Sequence, residues 1–154
     1  MDKKQIIIVS FLKPIEKGAE FIPWPNHITL VPFFWTEDLE NLPSQVREIC
    51  KKFKPIDYRV DEIEYLGHRK SVKTSKVVSN EVVNLQKKFH ELATKHDDKF
   101  RSNFLISGFK PHITHNENPY PSEGQKGEIK EIYLVLHLYP NKKDKKVLEI
   151  IKLE

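Results

Sequence analysis

Two identical tripeptides, His27-Ile28-Thr29 and His112-Ile113-Thr114, stand about 85 residues apart, each in a stretch patterned like a β-strand. Strand side chains alternate between faces, so the histidine and threonine of each unit share one surface while the isoleucine is buried behind it. With seven His and five Thr in 154 residues, a shuffled chain holds roughly 0.2 His-x-Thr units, and two have about a 2% chance before the shared Ile is counted. Either tripeptide alone reads as a half-exposed strand histidine beside a β-branched residue. Together they demand a fold that presents two imidazole-and-hydroxyl pairs over an apolar layer.

The surrounding pattern supplies such a fold. Residues 5–12 are rich in Ile and Val and end at Lys13-Pro14, which predicts a central strand followed by a loop to about Asn26. Residues 27–34 predict a second strand, with Ile28 and Leu30 on one face and His27, Thr29 and Val31 on the other. From Thr36 or Glu37-Asp38 the period becomes helical, with Leu39, Leu42, Val46, Ile49, Cys50 and Phe53 in the stripe and Pro55 as the stop. Residues 56–66 and 71–78 predict a strand pair turning near Gly67-His68. A second helix, capped by Ser79 or Asn80, carries Val82, Leu85, Phe89, Leu92 and Ala93 and runs to His96. Strands at 109–116, 129–139 and 146–153 follow, the last two joined at Pro140-Asn141. The order ββαββαβββ predicts an α+β fold in a single domain over residues 1–154, built as two similar lobes.

Composition narrows the setting. Hydrophobic residues make up 38% of the chain and charged residues 31%, with nine Phe, five Tyr and two Trp, which excludes a disordered chain. The formal charge of +4 favours an anionic ligand without requiring a nucleic-acid coat. The lone Cys50 rules out an internal disulfide and fits a reducing, cytoplasmic setting. Lys3 and Lys4 precede a short apolar run with no small-residue cleavage site after it, so this reads as a buried strand rather than a signal peptide. No other stretch approaches the roughly 20 apolar residues of a membrane span.

Two imidazoles and two hydroxyls facing one cleft suit phosphoryl chemistry. One neutral His takes a proton from an attacking oxygen, and one protonated His gives a proton to the leaving oxygen. The Thr hydroxyls donate to the nonbridging oxygens, where transition-state charge collects. Histidine fits both roles because its ordinary pKa is about 6.5. Sequence does not assign which His is base and which acid.

The segments His27-Ile28-Thr29-Leu30-Val31-Pro32-Phe33 and Phe109-Lys110-Pro111-His112-Ile113-Thr114 resemble the paired His-x-Thr/Ser motifs of the 2H phosphoesterase superfamily, which includes LigT-like RNA ligases and 2′,3′-cyclic nucleotide phosphodiesterases. His115, following the second motif, departs from the apolar residue usual there. The resemblance implies a bilobal fold with two antiparallel sheets lining a central cleft and two main helices packed outside. It also implies His27 and His112 as the catalytic pair, Thr29 and Thr114 as phosphate ligands, and no metal or other cofactor. The expected activity is hydrolysis of a cyclic nucleotide or RNA-terminal phosphodiester by a monomer. The alternatives are 2′-5′ RNA ligation or 2′-5′ phosphodiester cleavage at the same site, and a non-catalytic nucleotide- or RNA-binding module.

Other features carry weaker readings. His112 and His115 as a zinc pair fail on geometry, since a three-residue offset on a strand sends them to opposite faces. His68, His90 and His96 read as solvated, and His137 as either core or cleft. Trp24, just before His27, is the best candidate for stacking a base, whereas Phe33, Trp35 and Phe109 read as packing aromatics. The basic stretch His68-Arg69-Lys70 with Lys73 and Lys76 reads first as a solvated hairpin and second as a phosphate guide. The run around Lys142, Lys143, Lys145 and Lys146 reads as a polar turn, and the loop from Asn118 to Gly127 as a frame for the cleft.

Overall fold

The structure is a computed structural model that describes residues 2–101, 108–138 and 144–154. The Ile/Val-rich run forms β1 (Lys4–Phe11), with neighbours on both sides. The loop after it contains a two-residue strand, β2 (Glu20–Phe21), too short to leave a periodic signal. The first His-Ile-Thr unit opens β3 (His27–Thr36), which runs two residues past its expected end because Thr36 pairs with Lys4. Helix α1 therefore begins later than Thr36 or Glu37-Asp38, at Leu42, and spans Leu42–Cys50. Pro43 sits in its first turn, where a missing N–H costs nothing. Strands β4 (Ile56–Leu66) and β5 (Val72–Val78) make the expected hairpin. Helix α2 (Asn80–His96) follows, with the Ser79 hydroxyl accepting the Val82 N–H at 3.2 Å. The second unit is β6 (His112–Thr114), and β7 (Lys126–Ile129), β8 (Glu131–His137) and β9 (Lys145–Lys152) complete the chain. The expected turn at Pro140-Asn141 lies outside the described residues, as do Lys142 and Lys143.

All strand pairs are antiparallel, in the order β2-β9-β8-β1-β3-β6-β5-β4-β7. On either side of the motif strands' junction the sheet has two parts, β2-β9-β8-β1-β3 and β6-β5-β4-β7. Among the described residues they join edge to edge through one residue pair, Ile28 opposite Ile113. The two strands that meet at this seam are the two that carry the motifs.

One face of the sheet is covered by both helices. Leu42, Val46 and Cys50 from α1 and Val82, Leu85 and Phe89 from α2 pack in a single cluster with Ile6, Ile8, Ile28, Ile113 and Ile132. Burial of side chains this size contributes about 1.5–3 kcal/mol each, which holds the seam although its ladder is short. Helix α2 contacts both β3 and β4 and so lies across the join. Burial pushes the Cys50 thiol up to about 12. A register shift between β1 and β3 at Ile8/Val9 puts Val31 in this core beside Leu30, not on the histidine face that strict alternation would give it. Ile7, Val9, Phe11, Tyr133, Val135 and Val147 form a second apolar layer on the opposite face of the first half-sheet, covered by Phe21, Trp24 and Phe33.

Candidate active site

Ile28 and Ile113 are both fully buried beneath the helices. Continuing their antiparallel register one residue each way sets His27 opposite Thr114 and Thr29 opposite His112, all on the other face. Each imidazole thus stands across the seam from the threonine of the other motif. The four polar groups named by the sequence come together at one place.

Both imidazoles are held in the same way. His27 Nδ1 lies 2.8 Å from the Pro25 carbonyl oxygen, and His112 Nδ1 lies 2.8 Å from the Lys110 carbonyl oxygen, each two residues upstream. A carbonyl only accepts, so Nδ1 carries the hydrogen and donates it. In a neutral ring Nε2 is then left as the proton acceptor. Two motifs of identical spelling therefore arrive with the same tautomer.

Their surroundings differ. His27 is 8% exposed and lies against Trp24, ring centres 4.5 Å apart, and Phe11 at 6.0 Å, whereas His112 is only half-buried. Burial pulls the His27 pKa down from 6.5 to about 4, opposed by the Pro25 carbonyl and aided by the charges of His112 and Lys145. His27 is accordingly neutral at pH 7. On the other half-sheet Lys76 is the register partner of His112, and its ammonium is 3.9 Å from Glu64. A cavity of about 570 Å³ opens there, lined by Arg59, Asp61, Lys76, Lys110 and His112.

Three residues to which the sequence reading gave no part in the site shape it. Lys145 is not part of a polar turn but starts β9 and is buried at 6% exposure, with its ammonium 5.2 Å from the Trp24 ring centre and 5.7 Å from that of Phe21. Gln86, fully buried on α2, donates from Nε2 to the Thr29 carbonyl at 3.1 Å. Asn26 hydrogen-bonds the chain just beyond the second motif. A buried Gln within a helical stripe is the only one of these with a sequence-level cue, being polar where the period demands an apolar residue.

Trp24 is half-buried, packed among Phe11, Phe21 and Phe33 as well as His27. His115 points to the helix side, as alternation requires. There it shares a 2.6 Å hydrogen bond with Ser75 and stacks on Tyr120 at 4.5 Å, so a polar partner stabilises the departure from an apolar residue. His68 is exposed, as expected. His90 is not solvated: it is 4% exposed, between the rings of Phe100 and Phe109. His96 is half-buried, accepting from the Thr36 hydroxyl at 2.7 Å and donating to Gln45 at 2.6 Å. His137 donates to Gln5 at 2.7 Å and faces Phe33. Among the described residues, no three His, Cys, Asp or Glu side chains converge as metal ligands. No described helix is long and apolar enough to cross a membrane.

Residues 12–119 match the family model of the 2′-5′ RNA ligase superfamily. No curated protein matches the sequence. The fold is similar to the crystal structure of TT0787 of Thermus thermophilus, at a TM-score of 0.64 and 20% identity over 97% of each chain. It is also similar to a crystal structure of a phosphoesterase, at 0.62 and 16% over 99% of each chain. For E. coli LigT complexed with 3′-AMP the values are 0.63 and 15%, again over 99% of each chain.

Proposed function

Because this chain belongs to the 2′-5′ RNA ligase superfamily, and with it to the 2H phosphoesterases, we propose that it hydrolyses a 2′,3′-cyclic phosphate on a nucleotide or RNA end, with His27 as base and His112 as acid. The observation that carries this reading is the matched anchoring of the two rings by the Pro25 and Lys110 carbonyls, which leaves an Nε2 of each for proton transfer. The difference in burial supports this division of roles. A base must start unprotonated, and His27 is held neutral in an aromatic wall.

Water attacks phosphorus while His27 Nε2 takes its proton. The bond from phosphorus to the 2′ or 3′ oxygen breaks, and that oxygen receives the proton of His112 Nε2. Thr29 and Thr114 donate to the nonbridging oxygens from opposite sides of the seam, so the pentacoordinate centre is held at four points. Trp24, beside His27, is the candidate surface for the base of the same nucleotide. The two proton transfers need no metal, and the similarity to a structure of LigT complexed with 3′-AMP supports a nucleotide as the ligand.

A second reading, cleavage or formation of a 2′-5′ linkage, is favoured by the cavity beside His112. Its volume of about 570 Å³ and its Arg59, Lys76 and Lys110 side chains suit a nucleotide on the far side of the scissile phosphate. One experiment separates the readings: the purified protein is offered 2′,3′-cyclic nucleotides, RNA ending in a cyclic phosphate, and 2′-5′-linked dinucleotides, with EDTA present. Turnover of the cyclic substrates, lost in both His27→Ala and His112→Ala, is the expected result. Wild-type turnover in either variant overturns the mechanism. Binding of 3′-AMP with no product from any substrate identifies a binding module instead.

A further inference from the structure

Among the described residues the two half-sites touch through one residue pair of the sheet, yet acid–base transfer requires their separation to be fixed to a fraction of an ångström. Asn26 meets that need. It immediately precedes His27 and is 5% exposed. Its Oδ1 accepts the N–H of Asn116 at 3.0 Å and of Glu117 at 3.2 Å, both just past Thr114. Its Nδ2 donates to the carbonyls of Glu117 at 2.8 Å and Pro119 at 3.4 Å. A backbone N–H only donates and a carbonyl only accepts, so the amide has one admissible orientation, and all four of its hydrogen-bonding positions are filled. The backbone adds to the contact: the Asn26 N–H donates to Glu117 Oε1 at 3.3 Å, and its carbonyl accepts Leu12 N–H at 3.1 Å. The entry to the first motif is thereby tied to the exit of the second.

We propose that Asn26 is a positioning residue, a polar clamp that sets the distance between the His27 and His112 half-sites. No other side chain can take its place. Asp would turn an oxygen toward two carbonyl oxygens, Gln is one methylene too long for the same four bonds, and Ala or Ser cannot reach. The clamp also keeps the 25–27 turn packed, and with it the dry surroundings of His27. The assignment rests on the reading of His27 and His112 as the reacting pair.

The test is Asn26→Ala, compared with Val46→Ala, a core variant of α1, the helix that packs on β9, at a temperature where both are folded. Expected for Asn26→Ala is a fall in kcat/KM on the order of 10²-fold on a 2′,3′-cyclic nucleotide. In NMR titration His27 should move from about 4 toward 6.5 as water reaches the loosened turn. Val46→Ala should leave both unchanged. If Asn26→Ala does not fold, Asn26→Asp, which keeps the two accepted bonds, carries the same measurements. A variant with the turnover and His27 titration of Val46→Ala overturns the clamp. If the wild type turns over no cyclic or 2′-5′ substrate, the functional reading fails, and the His27 titration still decides the clamp.

Discussion

Gln86, buried in the middle of α2, donates to the carbonyl oxygen of Thr29 at 3.1 Å, so the helix side of the sheet grips the backbone of a residue whose side chain lies on the other side. Its own Oε1 has no partner among the described residues. Gln86→Leu exchanges this bond and the unsatisfied oxygen for apolar volume. Stability is therefore expected to change by less than about 1 kcal/mol, while turnover falls several-fold as Thr29 loses its restraint. Thermal unfolding and steady-state kinetics on one preparation check both halves.

His27→Ala and His112→Ala are each expected to reduce kcat by about 10²–10⁴-fold, the span of a positioned acid or base. Thr29→Ala and Thr114→Ala should each cost about 10²-fold, as for other donors to a developing oxyanion. Single-turnover assays, which isolate chemistry from release, measure these ratios. Equal activity in wild type and any of the four contradicts the site.

The pH dependence follows from the burial of His27. A general base works neutral, so with His27 in the proposed role kcat/KM should hold on acidification and fall only as pH drops through about 4, well below the 6.5 of an exposed imidazole. Stability moves in the same direction. The unfolded chain binds the His27 proton more readily, so folding weakens as pH falls below 6.5 and the loss levels off below about 4, reaching about 3 kcal/mol. Denaturant titrations from pH 7.5 to 4 should show a shallower slope for His27→Gln.

Ser79→Ala removes the hydroxyl that accepts Val82 N–H at the start of α2 and should cost about 1 kcal/mol. Since α2 spans the seam, backbone amides in its first turn should also exchange faster with solvent, which hydrogen-exchange mass spectrometry detects.

Much of this was readable because it is local. Period-2 and period-3.6 patterns locate the long strands and both helices, and alternation puts His27 with Thr29 and His112 with Thr114, whereas the pairing of Ile28 with Ile113 is what sets all four on one face. Length hides β2 and β7, too short for a period, and pairing hides the last two residues of β3, which Gln5 and Lys4 draw into the ladder at the expense of the expected helix start. Lys145 and His90 were misread for one reason: each is polar by type, but tertiary packing wraps it in aromatic rings that are distant in sequence. The unequal burial of the two imidazoles is of the same kind, since identical tripeptides cannot encode different neighbours.

The seam at Ile28 and Ile113 behaves as a hinge pin, and α2, lying across it from β3 to β4, as its splint. Mechanical load on one half-sheet would reach the other through that pin, that splint and the Asn26 hydrogen bonds. A ligand or crosslink that levers α2 off β3 would part His27 from His112 while touching neither imidazole, which makes the back of the sheet a place from which the chemistry proposed for its front could be stopped.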